Sequence, residues 1–193
     1  TPLLAACQDG HLDVVAALLS AGASINQACT DVGATPLHDA CENGHLAIVT
    51  KLISAGAAID QASTDGIGFT PLYVACQNGH VDIVSTLLSA GATVNLACTD
   101  TGATPLYVAC HVNHQSIVST LLSAGASVNQ ASTGSGSTPL LIACQHGHLH
   151  IASTLLSAGA SVNQASTGSG STPLLVACQN GYLHIASTLL SAG

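Results

Sequence analysis

The chain has 193 residues, nine of them acidic and one basic, for a net charge of −8; only 5% are charged, where about 25% is usual. So few cations argue against nucleic acid and against an anionic membrane surface, both of which need clustered Lys and Arg. An apolar content of 48% argues against disorder, and no run approaches the roughly 18 consecutive apolar residues of a membrane span. Thr1-Pro2-Leu3 is neither an initiator Met nor a signal peptide, so the chain is expected to be a piece of a longer protein.

Thr-Pro-Leu recurs at Thr1, Thr35, Thr70, Thr104, Thr138 and Thr172, and each unit ends on Ala-Gly, at Gly22, Gly56, Gly91, Gly125, Gly159 and Gly193. The second unit carries the chain's only Lys and only Glu, Lys51 and Glu42. In the third, Thr70 suits a helix N-cap and Pro71 the first turn, where a missing N–H is harmless. Leu72 to Cys76 carry the first helix, and Gly79 suits a left-handed helix end. Val81, Ile83, Val84, Leu87 and Leu88 give a second helix its apolar face. The fourth unit has Asn113 where the others have Gly, and Asn tolerates the left-handed conformation. The fifth and sixth, 126–159 and 160–193, differ at only three positions, Ile142/Val176, His146/Asn180 and His148/Tyr182. No helix of such a pair buries its apolar face alone, so the units are expected to stack into a solenoid forming one domain over residues 1–193.

Thr-Pro-Leu-x-x-Ala, then Gly-His, then Leu-Leu-x-x-Gly-Ala resembles the ankyrin repeat, and the likeness recurs six times over the whole chain. Thr35-Pro36-Leu37-His38 carries the family motif in full. The resemblance implies an all-α solenoid of helix-turn-helix units joined by β-hairpin fingers, with fingers and first helices forming a concave face. It also implies that His11, His45, His80, His114 and His148 bond backbone carbonyls between loops. Here the repeats are one or two residues longer than the family's usual length, and Ser, Thr and Ala replace the charged residues of the outer helix.

Eight cysteines are present, and Cys7, Cys41, Cys76, Cys110, Cys144 and Cys178 share one repeat position. Units stacked at about 10 Å cannot bring them within the roughly 7 Å a disulfide needs, so a ladder of buried thiols is expected. Cys29 and Cys98, in the fingers, are the expected reactive thiols. No Cys-x-x-Cys spacing supports zinc, and His146, His148 and His150 are expected to splay apart across a helix corner, so no metal or other cofactor is expected. Free thiols point to a reducing, cytoplasmic setting.

No nucleophile elbow, phosphate loop or His-Glu-x-x-His helix occurs, so no enzyme is expected. The expected function is a non-catalytic protein–protein interaction module with its partner on the concave face; the alternative is a structural spacer or elastic array. Phe69, Tyr73 and Tyr107 form the candidate apolar anchor, unless the tyrosines merely pack between units. His38, Asp39, Gln77, Asn78, His111 and Val112 occupy the groove-facing positions that the resemblance implies. The last unit has no polar cap, which predicts end-to-end self-association or continuation of the array.

Overall fold

The computed structural model describes residues 1–193, which form two compact units, Thr1–Asp100 and Thr101–Gly193. The first holds α1 (Pro2–Gln8), α2 (Leu12–Ser20), α3 (Pro36–Glu42), α4 (Leu46–Ser54), α5 (Pro71–Asn78) and α6 (Val81–Ser89). The second holds α7 (Pro105–His111), α8 (Gln115–Ser123), α9 (Pro139–Gln145), α10 (Leu149–Ser157), α11 (Pro173–Gln179) and α12 (Leu183–Ala192). Within each unit the helices form antiparallel pairs stacked in series: α1 on α3 on α5 with α2, α4 and α6 behind them, and α7 on α9 on α11 with α8, α10 and α12 behind.

Each first helix begins as the sequence predicts. Proline opens all six, and the hydroxyls of Thr1, Thr70, Thr104, Thr138 and Thr172 accept from the backbone N–H three residues on. Asn113 takes φ 65°, the one residue besides glycine in the left-handed region. The apolar faces close into a core of Leu3, Leu37 and Leu72 beside Ile48, Leu52, Ile83 and Leu87 in the first unit. Leu106 and Leu140 beside Ile117, Leu121 and Ile151 fill the same places in the second. Cys7, Cys41, Cys76, Cys110 and Cys144 are fully buried in these cores, whereas Cys178 is exposed. Burial pushes the Cys7 and Cys144 thiols up to about 12, with Asp39 adding to the rise at Cys7. Cys41, Cys76 and Cys110 are raised further by burial, which makes these thiols poor nucleophiles.

Side chains and loops stitch consecutive pairs together. Asn26 Oδ1 accepts from the Ala58 N–H at 2.9 Å, Asp60 Oδ1 from the Thr93 N–H at 3.0 Å, and Asn129 Oδ1 from the Ser161 N–H at 2.8 Å. Three of the five Gly-His histidines behave as the resemblance implies: His45 Nε2 lies 3.0 Å from the Gln8 carbonyl, His80 Nε2 3.0 Å from that of Glu42, and His148 Nε2 3.2 Å from that of His111.

The fingers depart from the expected β-hairpins. Four are closed by a backbone bond from Cys29 N to Ala34 O, Ser63 N to Phe69 O, Ser132 N to Ser137 O and Ser166 N to Ser171 O, the last two with a second from Gly136 N to Ser132 O and Gly170 N to Ser166 O, and no residue is in a strand. Some backbone groups turn sideways to the neighbouring finger, as Thr99 N does to Ile67 O at 2.8 Å and Gly134 N to Thr101 O at 2.9 Å. Cys98, expected to be a reactive finger thiol, is buried, while Cys29 is half-buried.

Candidate binding groove

First helices and fingers of the first unit enclose two adjoining clefts. One, of about 250 Å³, runs between the fingers at 32–34 and 63–69 over α3 and α5. The other, of about 430 Å³, lies over α1 and α3 beside the finger at 29–32. Val32 and Glu42 line both and make them one groove.

Phe69, half-buried, forms part of the first cleft with Gln77 and Asn78, both exposed at the end of α5. Tyr73 lies behind it: it is buried, and its ring stacks on Phe69 with centroids 4.6 Å apart and planes 14° from parallel. Tyr73 therefore supports Phe69 from within the fold rather than facing the groove.

His38 is only 3% exposed, and both ring nitrogens are occupied. Nδ1 accepts from the Thr35 N–H at 3.1 Å and lies 2.8 Å from the Thr35 hydroxyl. Since a backbone N–H can only donate, Nδ1 is unprotonated, and Nε2 carries the proton donated to the Phe69 carbonyl at 2.8 Å. Burial holds the imidazole below its ordinary pKa, against the opposing pull of the Phe69 carbonyl and Asp65. His38 thus ties α3 to the next finger and fixes the backbone of Phe69.

Asp39 lines the second cleft with Asp31 and Glu42. Burial, then Glu42 and Asp31, pushes its carboxyl up to about 6, although the α-amino group of Thr1 pulls the other way. Asp65, on the rim of the first cleft, is held below the usual carboxylate range: a burial effect that would raise it is outweighed by hydrogen bonds from the Ile67 N–H, the Ser63 hydroxyl and the Gly68 N–H. Asp31 is lowered by hydrogen bonds from the Cys29 thiol and from its own and Val32's backbone N–H.

Tyr107, His111 and Val112 belong to the second unit. Tyr107 is half-buried on α7, and Val112 caps that helix, its N–H donating to the Val108 carbonyl. His111 is exposed, its ring edge-on to His146 at 4.7 Å; His146 in turn stacks on His148 at 5.9 Å. The expected splaying of His146 and His148 does not occur, because the Gly147 turn returns the chain over the end of α9. His146 is held below its ordinary pKa by burial and by the neighbouring His111 and His148. The second unit has its own cleft of about 450 Å³, lined by Ser137, Leu141, Gln145, His146 and residues of α11 and its finger, with no carboxylate.

Val32, Glu42, Asp65 and Val74 were not among the sequence candidates for the groove. Glu42 carried a signal: it occupies the repeat position of Gln77 and His111.

A family model described as "Ankyrin repeats (3 copies)" matches residues 1–65, 59–132 and 130–193. No curated protein matches the chain significantly. No helix is long and apolar enough to cross a membrane.

Proposed function

Because the chain belongs to the ankyrin-repeat family, whose members are generally protein–protein interaction modules, we propose that it is a non-catalytic recognition module whose first unit grips a partner in the groove of fingers and first helices. The observation that carries this reading is the pair of joined clefts over α1, α3 and α5, lined by side chains that change from repeat to repeat. Glu42 and Gln77 share one repeat position, and Asp39 stands where Val74 does, while Asn43 and Asn78 keep the position between repeats; the scaffold beneath them is constant. Invariant packing with variable lining is what a recognition surface on a repeat array needs.

Phe69 is the apolar anchor of this groove, with Gln77 and Asn78 beside it and Asp39 in the adjoining cleft. Tyr107, His111 and Val112 are proposed to form the corresponding face of the second unit. A reducing, cytoplasmic setting fits the thiol ladder. One feature favours a second role for the second unit: its last two repeats are nearly identical and uncharged, as suits a spacer, and the exposed face of its last helix pair suits another repeat or a second copy.

Photo-crosslinking tests the reading. A benzophenone amino acid at Gln77 is expected to capture a protein in cell extract, and the same group at Ser85, exposed on α6, is not. Capture from Ser85 alone would put the partner on the outer helices and overturn the proposal.

A further inference from the structure

The groove of the first unit has a chemistry of its own. Val74 and Phe69 give it an apolar lining, and the exposed Val32 adds to it from the finger. Asp65 lines the first cleft, Asp31 and Asp39 the second, and Glu42 the boundary that the two share. Neither cleft is lined by Lys or Arg; Lys51 sits in the last turn of α4, on the helix behind.

We propose that this groove takes an extended peptide segment bearing a lysine or arginine next to an apolar side chain. The inference rests on the recognition reading above and adds the partner's chemistry to it. Charge complementarity carries it: four acidic residues and an apolar patch line one half-enclosed space, and a cation with an aliphatic stem satisfies both. Arg suits it best, because its planar fork can bridge two carboxylates. Burial first, and then Glu42 and Asp31, raise the Asp39 carboxyl, and an entering cation would oppose that rise. The cleft of the second unit, lined by hydroxyls, amides and an imidazole, offers no such charge, so the preference belongs to the first unit.

Selection of random displayed decapeptides on the full chain tests this, with selected sequences remade and measured by titration calorimetry. Peptides with Arg or Lys beside Leu, Ile, Val or Phe are expected to dominate. Their affinity is expected to fall about tenfold in the triple variant Asp31→Asn, Asp39→Asn, Glu42→Gln, and to hold in Asp9→Asn, Asp13→Asn, Asp82→Asn. The second set removes the same charge from residues that line neither cleft. If the first triple fails to fold, Glu42→Gln alone, at an exposed position, is expected to weaken binding about threefold. Equal losses in the two triples would mean attraction to net charge only and would overturn the proposal, as would enrichment of acidic or purely apolar peptides. Apolar peptides lost with Phe69→Ala would leave the groove reading standing while the cation inference falls. Selection of nothing, or of peptides indifferent to both Val32→Ser and Phe69→Ala, would overturn both.

Discussion

His38 shows how one side chain can serve the fold at a position where a ligand contact is expected. Its imidazole joins the cap of α3 to the Phe69 carbonyl, so His38→Ala leaves that carbonyl and the Thr35 N–H without their partner. A loss of about 1–3 kcal/mol is expected in urea unfolding. Protonation does similar harm: the folded-state pKa is lowered, so the unfolded chain binds the proton more readily. Stability from this group is complete above 6.5 and lost as pH falls below it. His38→Leu, the residue present at Leu4, Leu141 and Leu175, should flatten that acid limb, as read from melting temperatures between pH 5 and 8. Asp39 acts in the opposite sense. Its carboxyl rises from 3.8 to about 6 on folding, so ionisation destabilises the folded state above pH 6 and costs nothing below 3.8. Asp39→Asn should therefore stabilise the protein by about 1 kcal/mol at pH 8, after allowance for its partial exposure, and the gain should vanish by about pH 4. A gain that is the same at both pH values would contradict the assigned cause.

The corner between paired helices depends on what the next repeat places against it. A Cβ on Gly44 would come within 2.7 Å of the His80 ring, whereas one on Gly56 would meet nothing within 4 Å. Both glycines have positive φ, so alanine costs about 1–2 kcal/mol of backbone strain at either. Only Gly44→Ala must also displace the ring that bonds the Glu42 carbonyl, so its denaturation midpoint should fall well below that of Gly56→Ala. The same corner in the second unit gathers His111, His146 and His148. With His146 held low, stability is lost as pH falls below 6.5, and His146→Asn, matching Asn180, should lessen that loss in thermal melts at pH 5.5 while changing little at pH 7.5. These elements were largely legible in the sequence, because Thr-Pro at a helix start, Gly or Asn at its end and apolar residues at helical spacing are local signals. The groove was less so. Val32, Glu42 and Phe69 lie in three separate segments, and only the stacking distance between repeats decides that they share a cleft. Likewise Tyr73 reads as an anchor in sequence but is buried, because Phe69 folds over it.

Charge divides with the architecture: every charged side chain falls between Asp9 and Asp100, in the first unit, and none in the second. The first unit thus carries all the repulsion that keeps copies apart and all the carboxylates available for selecting a partner. The second unit presents a neutral and partly apolar surface. On its last helix pair Leu175 is 45% exposed, although its counterpart Leu141 is 2% exposed, and Leu183 and Leu190 are 71% and 68% exposed. Between repeats the equivalent face is covered by the next helix pair, and a second copy of this chain is the cover we propose for it. Association through it should be driven by apolar burial, and added salt should not weaken it, since no charged side chain takes part. Sedimentation velocity on the full chain is expected to show reversible association that Leu183→Lys with Leu190→Glu abolishes, while melting temperature changes little because both side chains are already in water. Unchanged association in the double variant, or dissociation of the wild type by salt alone, would place the contact on the charged unit instead.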